Sequence, residues 1–391
     1  MTVAHPIEQG WISTGGTGAQ NYDEFASDTE ITEIITANPA SALAVEMPHR
    51  APESVGRSLR DCLPDAVARF TDAQRHGRYA PATDIVALYR VSSRDGTAGY
   101  GLWCMVDTDQ ISTSADEPGL VIRNEDVFLD KVGERVALAQ ALGALLSPVL
   151  LLKTAGGAEL HAALAAATAA AGTPAVTDTD PAGRTHEVWA LPAGASRDEL
   201  LKLAGGGELV VADGNHRSLA AQTAGLPRFL AVVTTPESVT IQPYNRLVRD
   251  VDVAALIGAL PNPVPLDTPA APEAGGVVHL YTREGSWAVS LTRDPAAHAV
   301  DNLDHALVER QLFGTALGLP PGDKRITYVG GDYPVSWLVE QVDAGAADLA
   351  VLIAPVTVDD FVAVNLARRR MPRKSTWFTP KARAGLVLAG I

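Results

Sequence analysis

The sequence ELVVADGNHRSLAA, residues 208–221, passes from an apolar run into a helical pattern within a single turn. The run Glu208–Ala212 predicts a buried strand, and the residues from Gly214 to Ala224 predict a helix that starts directly after it. Glycine at 214 permits a sharp turn and lets a ligand approach the backbone closely. The sequence therefore predicts a strand–turn–helix junction centred on Gly214.

The first turn of this helix has the chemistry of an anion site. Its free backbone N–H groups lie at the positive end of the helix dipole. Arg217 adds a planar cation suited to phosphate oxygens, and His216 adds a hydrogen-bond donor or a proton carrier. Asp213 is suited to holding a metal ion or orienting a hydroxyl. The spacing fits a plain capped helix equally well, with Asp213 as the N-cap and Arg217 in a surface ion pair.

Predicted strands and helices alternate along the rest of the chain. Strands are predicted at residues 85–91, 99–106, 148–152, 186–191, 229–234, 277–281 and 287–291, and helices at 31–38, 53–75, 130–144, 158–171, 197–203, 304–312 and 335–344. A break or kink is expected at Pro64, loose chain at residues 1–20, and a linker at residues 261–276. This alternation predicts an α/β (α+β) fold with mixed sheets.

Composition and charge argue against several classes of protein. The net charge is −15, whereas nucleic-acid binders use a basic face to neutralise phosphates. The most apolar stretch, residues 136–152, is too short to span a bilayer, and the N-terminus lacks the pattern of a signal peptide. Only Cys62 and Cys104 are present, without a CxxC motif or a His/Cys cluster spaced for structural zinc. We therefore expect a cytoplasmic protein with no nucleic-acid or membrane partner.

The junction motif resembles that of a known family. Residues 213–217, Asp-Gly-Asn-His-Arg, resemble the Asp-Gly-His-His-Arg motif of the family catalogued as domain of unknown function 1015. They also resemble the phosphate-binding motif of the ParB/sulfiredoxin-like fold, which includes free serine kinases. The resemblance implies a ParB-like nucleotide-binding core with additional N- and C-terminal regions.

Further motifs extend the resemblance over most of the chain. They are Asn21-Tyr22-Asp23, Arg123–Val127 followed by Lys131 and Arg135, Gly183 with His186 and Trp189, Pro243–Val248, and Met371–Lys381. The last of these is long and specific, since it resembles Pro-x-Lys-Ser-Thr-x-Phe-x-Pro-Lys. Three family histidines are asparagine here, at Asn124, Asn215 and Asn245, and Val127 replaces a threonine. Asparagine cannot carry a proton at neutral pH, which leaves open a changed substrate, a changed mechanism or a lost activity.

The resemblance implies an ATP-dependent kinase that converts free L-serine to O-phosphoserine, with ATP or another nucleotide as donor and Mg²⁺ as cofactor. Glu125 is the expected general base, helped by Asp213 and His216, and Asp213 is the expected metal ligand. The groups expected to bind the nucleotide are Gly214, Asn215, His216, Arg217, Ser218, Arg246, Lys374 and Lys381. The groups expected to bind the acceptor are Tyr22, Asp23, Ser375 and Thr376.

Structural roles compete with these functional ones. Glu125 fits a surface ion-pair cluster with Lys131 or Arg135, Arg246 fits a pair with Asp250 or Asp252, and Lys374 and Lys381 fit exposed tail charges. Two other functions also stay open: a nucleotide-binding regulatory switch, and a divergent enzyme acting on a phosphorylated amino acid. Replacing Glu125 with Gln separates a kinase from a switch, because only the kinase should lose turnover.

Three regions are predicted: an N-terminal α/β region at 1–140, a ParB-like phosphate-binding core at 141–260, and a C-terminal α/β region at 261–391 that carries the Lys-Ser-Thr motif. A small-molecule substrate is the expected partner, and a homodimer is left open.

Overall fold

The junction at Gly214 folds as the sequence predicts, with strand Leu209–Asp213 leading into helix Asn215–Thr223. The architecture is that of a computed structural model, which describes residues 2–112 and 119–391. The chain forms two units. The discontinuous unit comprises the residues up to Thr240 together with Pro380–Ile391, and the inserted unit comprises Ile241–Thr379. The three regions predicted from the sequence have other boundaries, at residues 140 and 260, and stay a prediction.

The strands are β1 (Ala4–His5), β2 (Ile7–Ser13), β3 (Tyr79–Ser92), β4 (Ala98–Asp107), β5 (Ile111–Ser112), β6 (Val121–Ile122), β7 (Ala144–Leu145), β8 (Val149–Lys153), β9 (Val176–Thr179), β10 (Thr185–Pro192), β11 (Leu209–Asp213), β12 (Arg228–Thr234), β13 (Thr240–Gln242), β14 (Asn245–Val248), β15 (Val264–Leu266), β16 (Val277–Thr282), β17 (Gly285–Ser290), β18 (Ile326–Val329), β19 (Leu349–Ile353), β20 (Trp377–Thr379) and β21 (Val387–Gly390).

The helices are α1 (Asp28–Ala37), α2 (Ala42–Glu46), α3 (Leu63–Arg75), α4 (Leu129–Leu142), α5 (Gly157–Ala170), α6 (Ala195–Gly205), α7 (Asn215–Thr223), α8 (Val253–Ala259), α9 (Asp304–Leu307), α10 (Val335–Asp343) and α11 (Val358–Leu366). Helix α9 continues directly into a π-helical segment, Val308–Ala316.

The discontinuous unit is built on one mixed sheet. Its main path runs β5-β6-β11-β8-β12-β4-β3-β2-β21-β7, with β1 on β4, β10 on β3 and β9 on β10. The pairs β5/β6, β6/β11 and β8/β12 are parallel, and β8/β11 is antiparallel. Strand β8 is buried at every residue, as expected where a sheet is covered on both faces. This confirms the predicted mixed α/β class and places β11 inside the sheet, between β6 and β8.

Helices α5 and α6 pack against the central strands of this sheet through buried hydrophobic side chains. Leu160 and Leu164 of α5 and Leu200 of α6 pack in the same cluster as Leu151 of β8 and Val211 of β11. Burying such side chains stabilises the unit by about 1.5–3 kcal/mol each. The strand before Gly214 is thereby packed into the same core as β8, α5 and α6.

The inserted unit is built on an antiparallel sheet in the order β15-β17-β16-β19-β14-β18. Its core combines Val278, Leu280 and Val351 from the sheet with Leu312 and Phe313 from the π-helical segment. A second cluster packs α10 against the sheet. The unit therefore has a hydrophobic core of its own.

Two of three local predictions are wrong. Residues 1–20 are not loose throughout, because β1 pairs with β4 and β2 pairs with β3 and β21, which buries Ile7 and Ile12. The helix predicted at 53–75 begins only at Leu63, and the residues before it form short 3₁₀ turns at Pro52–Ser54 and Arg60–Cys62. The break expected at Pro64 is therefore present, and Pro64 lies in the first turn of α3, where its missing N–H costs nothing. Residues 261–276 contain β15, whose pairing with β17 turns part of the expected linker into an edge strand.

Within residues 2–112 and 119–391, no helix is long and apolar enough to cross a membrane. Cys62 and Cys104 are both buried and free.

Candidate functional site

The backbone at Gly214 explains why glycine is needed there. Gly214 has φ +97 and is the N-cap of α7. A Cβ at this position would lie 2.9 Å from Nε of Arg217, so a side chain would be both strained and crowded. Ser218 is buried, and its hydroxyl donates to the carbonyl of Asn215 at 3.0 Å. The turn therefore keeps its tight form through contacts within the first turn of the helix.

Asp213 is held by two cations. Lys381 Nζ donates to Asp213 Oδ1 at 2.5 Å, and Arg217 Nη2 donates to Asp213 Oδ2. The side chains of Asp213, Arg217 and Lys381 are 11%, 8% and 11% exposed. Two structural alternatives from the sequence are thus wrong, since Arg217 and Lys381 are not surface charges and Asp213 is not the N-cap.

The charges in this cluster shift one another's pKa. Burial raises the pKa of the Asp213 carboxyl, but the charges of Lys381 and Arg217 outweigh it and hold the pKa below its ordinary value. Burial lowers the pKa of Lys381, and Asp213 with Glu24 more than offsets it, so that pKa is raised. Asp213 is accordingly a carboxylate at neutral pH, and Lys381 is an ammonium.

The N-terminal segment supplies a second carboxyl that the sequence analysis missed. Glu24 is 6% exposed and accepts from the backbone N of Asn21 at 2.7 Å and from its Nδ2 at 2.9 Å. Burial raises the pKa of Glu24 to about 7, against the opposing charge of Lys381. Its only signal in the sequence is its place directly after the Asn21-Tyr22-Asp23 motif.

The same segment is tied to Arg217 and to Arg135. Arg217 Nη1 donates to Asn21 Oδ1 at 2.8 Å and to the carbonyl of Pro148 at 2.5 Å. Tyr22 is buried, which raises its pKa to about 12, and the guanidinium of Arg135 lies 4.2 Å from the centre of its ring. The negative charge of Asp23 acts on both Arg217 and Lys381. The structure thus brings the predicted Tyr22 and Asp23 to the motif at residues 213–217.

The loop that carries Glu125 is fastened to the start of α7. Asn215 Nδ2 donates to Asn124 Oδ1 at 2.5 Å, and both side chains are buried. The backbone N of Phe128 donates to His216 Nε2 at 3.0 Å, and the two rings stack with centroids 6.1 Å apart. Accepting this bond requires a lone pair, so Nε2 of His216 carries no proton there. Glu125 is partly exposed and lies between these two attachments.

The inserted unit holds the remaining predicted residues. Arg246 is fully buried, with its guanidinium carbon 4.4 Å from the ring centre of Tyr328 and its Nε 3.9 Å from Glu309. Lys374 has φ 52, and its Nζ lies 5.7 Å from the ring centre of Tyr244. The side chain of Arg246 also lies 5.6 Å from the ring of Tyr244, so Arg246 and Lys374 share one aromatic neighbour. Ser375 is buried and Thr376 is partly exposed.

The predicted magnesium role of Asp213 does not fit these contacts, because cationic groups occupy both of its oxygens. Across the described parts of the chain, no group of three or more His, Cys, Asp or Glu side chains could hold a metal ion. We therefore derive no step through a protein-bound metal.

A family model described as a protein of unknown function (DUF1015) matches residues 17–306. The chain belongs to the DUF1015 family. The match includes the Gly214 junction and the Glu125 loop, and it ends before Lys374 and Lys381. No curated protein matches this DUF1015 chain.

Several solved structures resemble this DUF1015 protein at low identity. A free serine kinase in complex with AMP is 12% identical, with a TM-score of 0.40, over 71% of this chain and 87% of that one. A conserved hypothetical protein from Pyrococcus furiosus is 14% identical (TM-score 0.39, over 73% and 95%). SbnI with a C-terminal truncation, from Staphylococcus aureus, is 13% identical (TM-score 0.40, over 72% and 84%). At these TM-scores, none of the likenesses assigns an activity to this chain.

Proposed function

We propose that this DUF1015 protein is an ATP-dependent kinase that phosphorylates the hydroxyl of a free amino acid, with L-serine as the first candidate acceptor. The observation that carries the proposal is the joining of the Glu125 loop to the first turn of α7 through Asn124–Asn215 and Phe128–His216. These two attachments support a role for the Glu125 carboxylate beside a helix N-terminus, a position suited to phosphate. The family motifs at residues 123–127 and 213–217 support the same pairing.

Phosphate binding would rest on the first turn of α7 and the cations around it. Backbone N–H groups at the start of a helix favour negative charge. Arg217 and Lys381 are already fixed by Asp213, so they would need little reordering to act on a phosphate. Such preorganised charge is the main way in which proteins assist phosphoryl transfer.

In the proposed reaction the phosphoryl group passes directly from ATP to the acceptor, without a covalent enzyme intermediate. The acceptor hydroxyl oxygen forms a bond to the γ-phosphorus of ATP, the bond from that phosphorus to the β,γ-bridging oxygen breaks, and ADP leaves. The hydroxyl proton passes to Glu125, which acts as the general base. Glu125 is favoured over Glu24 for this role because Glu125 is partly exposed, whereas Glu24 is buried and accepts two bonds from Asn21.

The test is a phosphorylation assay with Mg·ATP and a panel of free hydroxy amino acids, read by mass spectrometry. O-phosphoserine should appear with the wild-type protein. Glu125→Gln should reduce turnover by a factor of about 10²–10⁴ while nucleotide binding persists. Asp130→Asn, at an exposed position in the first turn of α4, is the matched control and should leave turnover unchanged.

Two outcomes would contradict the proposal. No phosphorylated product with any nucleotide donor would favour the regulatory switch or a divergent enzyme. Normal turnover of Glu125→Gln would remove Glu125 from the mechanism.

A further inference from the structure

A cavity of about 50 Å³ lies beside Arg217, between α4, α7 and the chain at residues 144–149. Four polar side chains line it: Glu46, Arg135, Ser147 and Arg217. The remaining wall is apolar and includes Leu138 and Ala220. The cavity is large enough for more than one water-sized group.

Two of the polar side chains in this wall have unused hydrogen-bonding groups. Arg135 is 7% exposed, and among the described residues its Nε and Nη1 have no hydrogen-bond partner. Glu46 is 5% exposed. Its Oε1 accepts from Ser147 Oγ at 2.6 Å, while its Oε2 has no partner in the described parts of the chain. Buried polar groups are normally paired, so a polar occupant is expected here.

The signs of the charges restrict what this occupant is. A simple anion would meet the carboxylate of Glu46, and a simple cation would meet the guanidinium groups of Arg135 and Arg217. A zwitterion satisfies both, because its carboxylate accepts from Arg135 and its ammonium donates to Glu46 Oε2. The small volume and the apolar wall favour a short side chain.

We propose that this cavity binds a small free amino acid through its α-carboxylate and α-ammonium groups. The inference rests on the proposed kinase function, in which this amino acid is the acceptor. Arg217 lines the cavity and also contacts Asp213, so a ligand there lies beside the residues assigned to phosphate. The ring of Tyr22 packs against the Arg135 guanidinium, which makes Tyr22 a positioning residue for the carboxylate contact.

The first experiment is calorimetric titration of the wild-type chain with L-serine and glycine in the absence of nucleotide. Two capped compounds are the matched ligands: N-acetyl-L-serine, which lacks the ammonium, and L-serine methyl ester, which lacks the carboxylate. We expect binding of both free amino acids and at least tenfold weaker binding of each capped compound. Inorganic phosphate should not compete.

Variants provide a second measurement. Glu46→Gln and Arg135→Met should each weaken L-serine binding at least tenfold, whereas Glu53→Gln, at a carboxyl that is 65% exposed, should bind like wild type. The capped ligands are titrated into the wild-type protein. They therefore still test the inference if one of the substitutions prevents folding. No binding of any amino acid, equal binding of capped and free forms, or binding of phosphate alone would overturn it.

The outcomes separate the two proposals. Amino-acid binding with the expected dependence on both charged groups, but without phosphorylation, would retain the cavity and reject the kinase. Formation of O-phosphoserine with unchanged serine binding by Glu46→Gln and Arg135→Met would retain the kinase and reject the cavity.

Discussion

Replacing Asp213 with Asn tests whether the carboxylate of Asp213 stabilises the folded protein by pairing with Lys381 and Arg217. The substitution keeps the shape of the side chain but removes the charge that pairs with Lys381 and Arg217. All three side chains are at most 11% exposed, so two buried cations would lose their partner. Removing one partner of a buried ion pair costs about 3–5 kcal/mol, and we expect a loss of this size in the free energy of unfolding.

Urea denaturation at pH 7, followed by circular dichroism, measures this loss. The control is Asp84→Asn, because Asp84 pairs with Arg197 at the surface and is 60% exposed. Such a pair contributes at most about 1 kcal/mol.

A double variant tests whether Asp213 and Lys381 are energetically coupled. Combining Asp213→Asn with Lys381→Met removes one of the two uncompensated cations, so the double variant should be more stable than Asp213→Asn alone. A loss below about 1 kcal/mol for Asp213→Asn, or additive losses in the double variant, would refute the assignment of a coupled buried cluster.

Three further predictions concern stability. Burial raises the pKa of Glu24 from 4.5 to about 7, so the folded state holds a proton that the unfolded state releases, and stability should fall as pH rises from about 4.5 to 7. Glu24→Gln should remove a fall on the order of 3 kcal/mol from the pH profile of urea midpoints. Gly214→Ala should cost about 1–3 kcal/mol in urea denaturation, because φ is +97 and the added Cβ meets Arg217. Leu151→Ala, at a fully buried position of β8, should cost about 2–5 kcal/mol in the same assay.

The predictions at Glu24 and Gly214 each have a separate check. A pH profile for Glu24→Gln that matches wild type would mean that Glu24 titrates normally in the folded state. Gly143→Ala is the control for Gly214→Ala, since Gly143 also has positive φ, at +64, but has open space where a Cβ would point. Equal losses at the two glycines would contradict the crowding argument at Gly214.

The sequence predicts the junction well because its signals are local. An apolar run, a glycine and a helical pattern specify β11, the turn and α7 within 16 residues, Leu209–Ala224. In contrast, the strand order depends on pairings between distant segments, such as β2 with β21, and no spacing in the sequence encodes them.

The same distinction applies to the site. Gly214 and Arg217 belong to one short motif, so their closeness follows from helix geometry. Lys381 reaches Asp213 across 168 positions, and only the family motif pointed to it. Glu24 has no motif of its own, and its raised pKa arises from burial that is set by the folded chain. The sequence could therefore identify the residue types of the site, but their mutual contacts required the structure.

The split of the discontinuous unit into two chain segments has a consequence for synthesis. Lys381 and β21 follow residues 241–379, so ribosomes must make the whole inserted unit before the first unit receives its last strand. At about 5–20 residues per second, this takes on the order of ten seconds. Until then β2 lacks its neighbour β21, and the pairing groups on that edge are open to other strands. During this period the nascent chain lacks the contact between Lys381 and Asp213, and the edge of the sheet at β2 is unpaired. This is the stage of synthesis at which we expect binding by chaperones to matter most.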